Sequence, residues 1–153
     1  MLIGVGMFGT TGWCLSWLRQ EGLNTRAKLF RFGVCDSSLC CLCEMHTETH
    51  AHLFQECQIT VMVCRILRRW IELAKCSAAV RRHRCSLMQK KFMALLVNAM
   101  NYQIWYHRNK CRLEGVLDRP EVIANQIKAV VRGRVQAMIR FSIPDYDRFI
   151  TCL

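Results

Sequence analysis

Apolar residues recur at spacings of three and four along the second half of the chain, which is typical of helices that bury one face. One stripe runs from Ile59 to Ala74 and contains Val63, Ile66, Leu67, Trp70 and Leu73. A longer helix is predicted from Leu87 to Leu113, with an apolar side of Met88, Phe92, Leu95, Leu96, Ala99 and Trp105. A last helix is predicted from Glu121 to Phe141, with Ile123, Ile127, Val130, Val131, Val135 and Met138 facing inward. Gly115 and Pro120 separate these two helices.

The first part of the chain is less regular. Residues 1–12 are an ill-defined lead-in, and a short amphipathic helix is predicted from Trp13 to near Gly22. Thr25 can cap a second short helix that Gly33 ends. The segment 35–57 has little periodicity, so we expect loops there.

Cysteine and histidine residues cluster inside that aperiodic segment. Cys40 and Cys43 form a Cys-x2-Cys pair, and His52 and Cys57 follow at spacings of eight and four intervening residues. Two thiolates three residues apart can face one ion, and a second pair completes a tetrahedron at about 2.0–2.3 Å from the metal. Thiolate and imidazole ligands favour Zn²⁺ over Mg²⁺ or Ca²⁺, and four protein ligands make a structural site.

The ligand assignment has competitors nearby. Cys35, Cys41 and His46 could substitute, and His50 is the main alternative to His52. We prefer His52 because Leu53 and Phe54, which follow it, can anchor that turn in the core. A set of buried thiols without metal is the other interpretation, since free cysteine packs as a small hydrophobe.

The predicted fold class is therefore mainly α: a small irregular zinc-stapled Cys-Cys-His-Cys module followed by a basic helical region. The chain has 11 cysteines at irregular spacings, and we see no secretory signal in its uncharged, glycine-broken start, so a disulfide framework is disfavoured. That start is also too short and glycine-rich for a membrane span. We expect an intracellular protein without a membrane partner, in a compartment that the sequence does not resolve.

Basic residues dominate the middle of the chain. From Gln58 to Arg112 there are twelve lysines and arginines against one acid, Glu72, within a total charge of +11. Such a surface attracts polyanions, although a solvated helix face gives the same composition. Arg65, Arg68 and Arg69 are the best candidates for phosphate contacts.

Enzyme chemistry is not expected. A polymerase needs clustered carboxylates to hold two metal ions, and the one close acidic pair is Asp145 and Asp147 in the tail. A Cys–His nucleophile is disfavoured because the favoured cysteines are better explained as metal ligands.

Four motifs in order resemble the zinc-binding domain that follows the reverse transcriptase of plant non-LTR (LINE-type) retroelements. They are LNTRAKLFRFGV with Leu23, Thr25, Arg26, Leu29 and Gly33; the CxLC of Cys40 to Cys43; ETHAHLFQEC with Glu48, His52, Leu53, Phe54, Glu56 and Cys57; and YQIWYHRN with Ile104, Trp105, Arg108 and Asn109. The chain departs from the family at Asn24, Cys64 and Tyr102, where proline or tryptophan is usual.

The resemblance implies one zinc-binding domain over residues 13–113, with a C-terminal helix and tail over 114–153. It also implies an accessory role in binding RNA or DNA, and the domain itself would have no polymerase activity. Trp105, Arg108 and Asn109 could form a base-stacking and phosphate-contacting patch; alternatively, Trp105 lies in the core and Arg108 bonds backbone near the zinc loop. A zinc-stabilised protein-interaction module and a non-functional retroelement remnant are the alternative functions. The oligomeric state stays open.

Overall fold

The computed structural model describes residues 23–78 and 86–140, without the side chains of residues 73–78, 86–90 and 138–140. Its helices are α1 (Arg26–Arg31), α2 (Gln58–Ala78), α3 (Ser86–Glu114) and α4 (Pro120–Arg140), with a π-helical turn at His52–Glu56. One isolated β-bridge, Leu39 to Thr47, occurs in this part of the chain. The mainly α prediction is confirmed, and no helix among these residues is long and apolar enough to cross a membrane.

The helix boundaries follow the predicted signals. Thr25 precedes α1, and its Oγ1 accepts a hydrogen bond from the backbone N–H of Lys28 at 3.4 Å. Gly33, two residues after the end of α1, and Gly115, directly after α3, have φ values of +67° and +69°, in the left-handed region that glycine enters without strain. Pro120 is the first residue of α4, where its missing N–H is harmless. The helix predicted from Trp13 lies outside the described residues.

Helices α2, α3 and α4 share one core with the segment 40–57. The Trp70 and Phe92 rings lie 6.3 Å apart, and Cys64 Sγ lies 3.4 Å from Met100 Sδ, so α2 and α3 run antiparallel. The core residues of these helices are Val63, Leu67, Trp70, Phe92, Leu96, Ala99, Met100, Ile104, Ile123, Ala124, Ile127, Val131 and Val135. The helix after residue 114 is thus packed into the same core as the helices before it.

A polar network joins α3 to α4 at the end of this core. His107 is 2% exposed, and its Nδ1 lies 2.8 Å from Asp118 Oδ2 while its Nε2 lies 2.7 Å from Gln126 Oε1. Lys110 Nζ donates to the same Asp118 oxygen at 2.9 Å. These bonds satisfy a buried ring and hold the 115–119 connection in place.

Some predicted inward positions are wrong. Trp105 and Val130 are each 38% exposed. On α3 the core-facing positions of that turn are filled by Gln103, Ile104 and His107, so two polar residues are inside while the indole is outside. The side chains of Leu73, Met88 and Met138 lie outside the described residues.

Candidate metal centre

A tight hairpin positions the first two predicted ligands. Cys40 N donates to His46 O and Glu44 N donates to Cys40 O, both at 2.8 Å. Glu44 has φ of 55°, a left-handed conformation that lets the chain reverse within a few residues. The turn places the thiols of Cys40 and Cys43 on one side, as the Cys-x2-Cys spacing predicts.

The second pair comes from the π-helical turn, in a segment where the sequence predicts only loops. Cys57 N donates to His52 O at 2.7 Å, a bond across five residues. This wider turn brings residues five apart closer to one face than an α-helix would. Leu53 is 2% exposed and Phe54 packs against the core, so both anchor the turn as expected. Thr60 Oγ1 adds a hydrogen bond to Leu53 O at 2.7 Å.

The four predicted ligands meet at one point. Their ligand atoms all lie within 4.8 Å of one another. Cys40 Sγ and Cys57 Sγ are 3.9 Å apart, and Cys43 Sγ and His52 Nε2 are 3.3 Å apart. In a tetrahedral zinc site with bonds of about 2.3 Å to sulfur and 2.0–2.1 Å to nitrogen, these edges would be about 3.8 and 3.5 Å. The cluster therefore has the size and donor set for one zinc ion.

The contact between Cys40 and Cys57 shifts the pKa values of the two thiols in opposite directions. A hydrogen bond with Cys57, followed by burial, raises the pKa of the Cys40 thiol. The same hydrogen bond from Cys40 lowers the pKa of Cys57, although burial acts to raise it. The backbone N–H groups of Thr60 and Ile59 lower this pKa further. These amides belong to the start of α2, where the helix dipole favours a thiolate. Of this pair, Cys57 is the thiol that its surroundings favour as a thiolate, the form that binds a metal.

His52 is held in the form that a ligand needs. It is 4% exposed, and burial, with a smaller effect of nearby His46, lowers its pKa. A neutral imidazole with Nε2 facing Cys43 can donate its lone pair to a metal. The ring of His50 instead packs on Phe54 with centroids 4.8 Å apart, outside the cluster.

The other competing cysteines are turned away from the cluster. Cys41 Sγ accepts a hydrogen bond from Arg26 Nη1 at 3.6 Å, and Cys35 Sγ donates to Ser37 O at 3.3 Å. His46 is exposed and its ring centroid lies 5.5 Å from that of His52. Among the described residues, geometry thus selects the predicted set of four.

A buried ion pair next to the centre was not predicted. Glu48 is 0% exposed, and both Nε and Nη2 of Arg108 donate to its Oε1. Arg108 Nη2 also donates to Asn24 O at 3.0 Å. Both residues occur in the motifs that carry the family resemblance, which was the available signal, but their pairing cannot be read from the sequence.

Glu48 links three parts of the structure. Its Oε1 accepts from Arg26 N at 2.8 Å at the start of α1, and its Oε2 accepts from Cys41 N at 3.4 Å inside the hairpin. The ion pair with Arg108 connects the Glu48 carboxylate to α3. The carboxylate therefore fixes the Cys40–Cys43 turn relative to two helices.

The predicted phosphate-binding arginines divide into two groups. Arg65, Arg68 and Arg69 are exposed on α2, and Arg68 pairs with Glu72 at 2.9 Å. Arg108 is 3% exposed and paired with Glu48, so its assignment to a nucleic-acid surface is wrong. The alternative that it bonds backbone near the zinc loop is the one that the structure supports.

Comparison of the whole chain with curated proteins and with solved structures gives no match. Residues 10–63 match the family described as zinc-binding in reverse transcriptase. This range includes Cys40, Cys43, His52 and Cys57 and ends within α2. The part of the chain that holds the candidate metal centre is therefore similar to a reverse-transcriptase zinc-binding domain.

Proposed function

We propose that the chain binds one structural zinc ion through Cys40, Cys43, His52 and Cys57. The observation that carries this proposal is the convergence of four soft or borderline ligand atoms within 4.8 Å. The family match over residues 10–63 supports zinc as the metal. Four protein ligands leave no open coordination position, so the ion would hold the hairpin to the start of α2 and activate no substrate.

We also propose that this zinc-stapled fold is a nucleic-acid-binding accessory module, derived from a plant LINE-type reverse transcriptase and without polymerase activity. Arg65 and Arg69 are exposed and form no ion pair with the described residues, and Arg68 is held only by an exposed pair. These arginines lie on the helix that begins directly after Cys57. A metal-fixed helix start would therefore present a rigid basic surface to phosphates.

Metal analysis of the purified chain tests the zinc proposal. We expect one zinc per chain, lost in Cys57→Ser, whose side chain is fully buried in the cluster. Cys35→Ser is the matched control, because that thiol is in the same segment but directed to Ser37 O. Full zinc retention in the Cys57 variant would refute the ligand set.

The salt dependence of RNA or DNA binding tests the second proposal. Each neutralised phosphate contributes a slope of about −0.7 for single strands in a log–log plot of affinity against salt. Replacing Arg65, Arg68 and Arg69 with alanine should flatten the slope by about 2. The control replaces three other exposed arginines, Arg31, Arg119 and Arg134. Absence of binding at low salt would favour a zinc-stabilised protein-interaction module.

A further inference from the structure

Three aromatic side chains lie together on the outer surface of α3. Tyr102, Trp105 and Tyr106 are 60%, 38% and 46% exposed. The ring centroid of Tyr102 is 6.3 Å from that of Trp105 and 6.5 Å from that of Tyr106. The two tyrosine rings are only 18° from parallel. We call these three residues the aromatic platform.

The platform is on the side of α3 opposite its buried face. Phe92, Leu96 and Ile104 carry the packing against the other helices, and each is at most 6% exposed. None of the three aromatic residues belongs to that core. A contiguous exposed aromatic patch is unusual on a soluble surface and indicates an interaction site.

The charge around the platform is positive. Helix α3 has no acidic residue from Ser86 to Leu113. Arg108 and Lys110 are neutralised by Glu48 and Asp118, but Lys91 and Arg112 are exposed.

These two cations extend the same face of the helix. At 3.6 residues per turn, Lys91 lies about three turns before Tyr102, and Arg112 lies about two turns after Trp105. The face therefore presents aromatic rings with a cation at each end. The intervening exposed position Asn98 is polar.

We propose that the aromatic platform, with Lys91 and Arg112, binds single-stranded nucleic acid by base stacking. This proposal rests on the nucleic-acid-binding function proposed above and specifies the form of its ligand. Unpaired bases offer flat faces to Tyr102, Trp105 and Tyr106, while phosphates on either side meet the two cations. The near-parallel tyrosine rings suit consecutive bases, which are themselves parallel.

The charge pattern favours this occupant over others. The exposed Leu113 is on this face too, but the side chains that flank the rings along the helix also include Lys91, Asn98 and Arg112, and the two cations favour a phosphate-bearing ligand over an apolar protein helix. A duplex hides its base faces inside its own stack, so it could meet only the cations. The platform should therefore distinguish unpaired strands from paired ones.

The test compares the zinc-loaded full chain on two fluorescent ligands of equal length: oligouridine and an abasic ribose-phosphate strand. In Tyr102→Ala/Tyr106→Ala, oligouridine affinity should fall about five- to tenfold for each ring removed, since stacking contributes on that scale. Abasic affinity should be unchanged. Tyr102→Phe/Tyr106→Phe should restore binding, because it keeps the rings and removes only the hydroxyl groups.

Phe30 in α1 and Phe32 directly after it provide the matched control, because they are aromatic residues exposed at 49% and 68%. Their replacement by alanine should leave both affinities unchanged. Equal loss on both ligands in the tyrosine variant, or no loss, would overturn the stacking platform. In that case a weakened affinity in the Arg65, Arg68 and Arg69 variant would show that the proposed function still stands. Failure of the unmodified chain to bind either ligand would refute both proposals.

Discussion

Replacing Arg108 with methionine should destabilise the chain by about 3–5 kcal/mol, because it leaves the Glu48 carboxylate buried without its cation. Glu48 is 0% exposed, so water cannot replace the lost partner. The variant also removes the hydrogen bonds from the guanidinium to Asn24 O and to Asn109 Oδ1. Domains are stable by about 5–15 kcal/mol, so this loss is a large share of the total.

The double variant Glu48→Gln/Arg108→Met separates the ion pair from simple loss of packing. It removes both charges, and the glutamine oxygen can still accept from Arg26 N, which is 2.8 Å away in the unmodified chain. Its free energy of unfolding should therefore exceed the additive expectation from the two single variants by at least about 1 kcal/mol.

Urea unfolding of the zinc-loaded proteins, followed by circular dichroism, measures these differences. Arg112→Met is the matched control, because this exposed arginine is one turn farther along α3 and should change stability by less than about 0.5 kcal/mol. A cost below about 1 kcal/mol for Arg108→Met, or strict additivity in the double variant, would show that Glu48 and Arg108 are not a coupled buried pair.

Three further predictions concern the metal, pH and a turn. Removal of the metal by a chelator should expose the backbone amides of residues 52–57 to hydrogen exchange. Most amides of α2, α3 and α4 should stay protected, because these helices share an apolar core. Uniform loss of protection would contradict this prediction. A hydrogen bond from Lys110 holds the pKa of Asp118 below its usual 3.8. The ionised carboxylate therefore stabilises the fold above about pH 4, and this contribution is lost as the pH falls through the lowered pKa. The stability gap between the unmodified chain and Asp118→Asn should therefore shrink in acid, and a constant gap would argue against the assignment. Gly115→Ala should lower the free energy of unfolding by about 1–2 kcal/mol, because alanine is strained at the φ of +69° that Gly115 adopts, although an added Cβ would meet no neighbouring atom. An unchanged midpoint of thermal unfolding would show that the turn relaxes.

The ligand set and the main helices were predictable because their signals are local. Cys40 and Cys43 sit on one turn, and α2, α3 and α4 each have periodic apolar residues. The preference for His52 over His50 depended on the apolar pair after it. The π-helical turn that decides the matter has no sequence signal strong enough to predict it.

Two errors have different causes. Glu48 and Arg108 are 60 residues apart, so their pairing depends on how α3 packs and cannot be inferred from either segment alone. The apolar character of Trp105 favours a buried position, but this residue lies six residues after Ala99. At about 100° per residue, six residues rotate the side chain by about 240°, so the helical spacing already pointed outward.

The sequence separation of the ligands affects the order in which the structure can assemble. Cys40 and Cys57 are 17 residues apart, whereas Glu48 meets Arg108 across 60. Loop-closure entropy makes the longer connection about 1 kcal/mol more costly. At a synthesis rate of about 5–20 residues per second, all four ligands precede Arg108 by several seconds. The hairpin and the π-helical turn can therefore form as a local unit before Arg108 has been synthesised, and α3 can then pack against them.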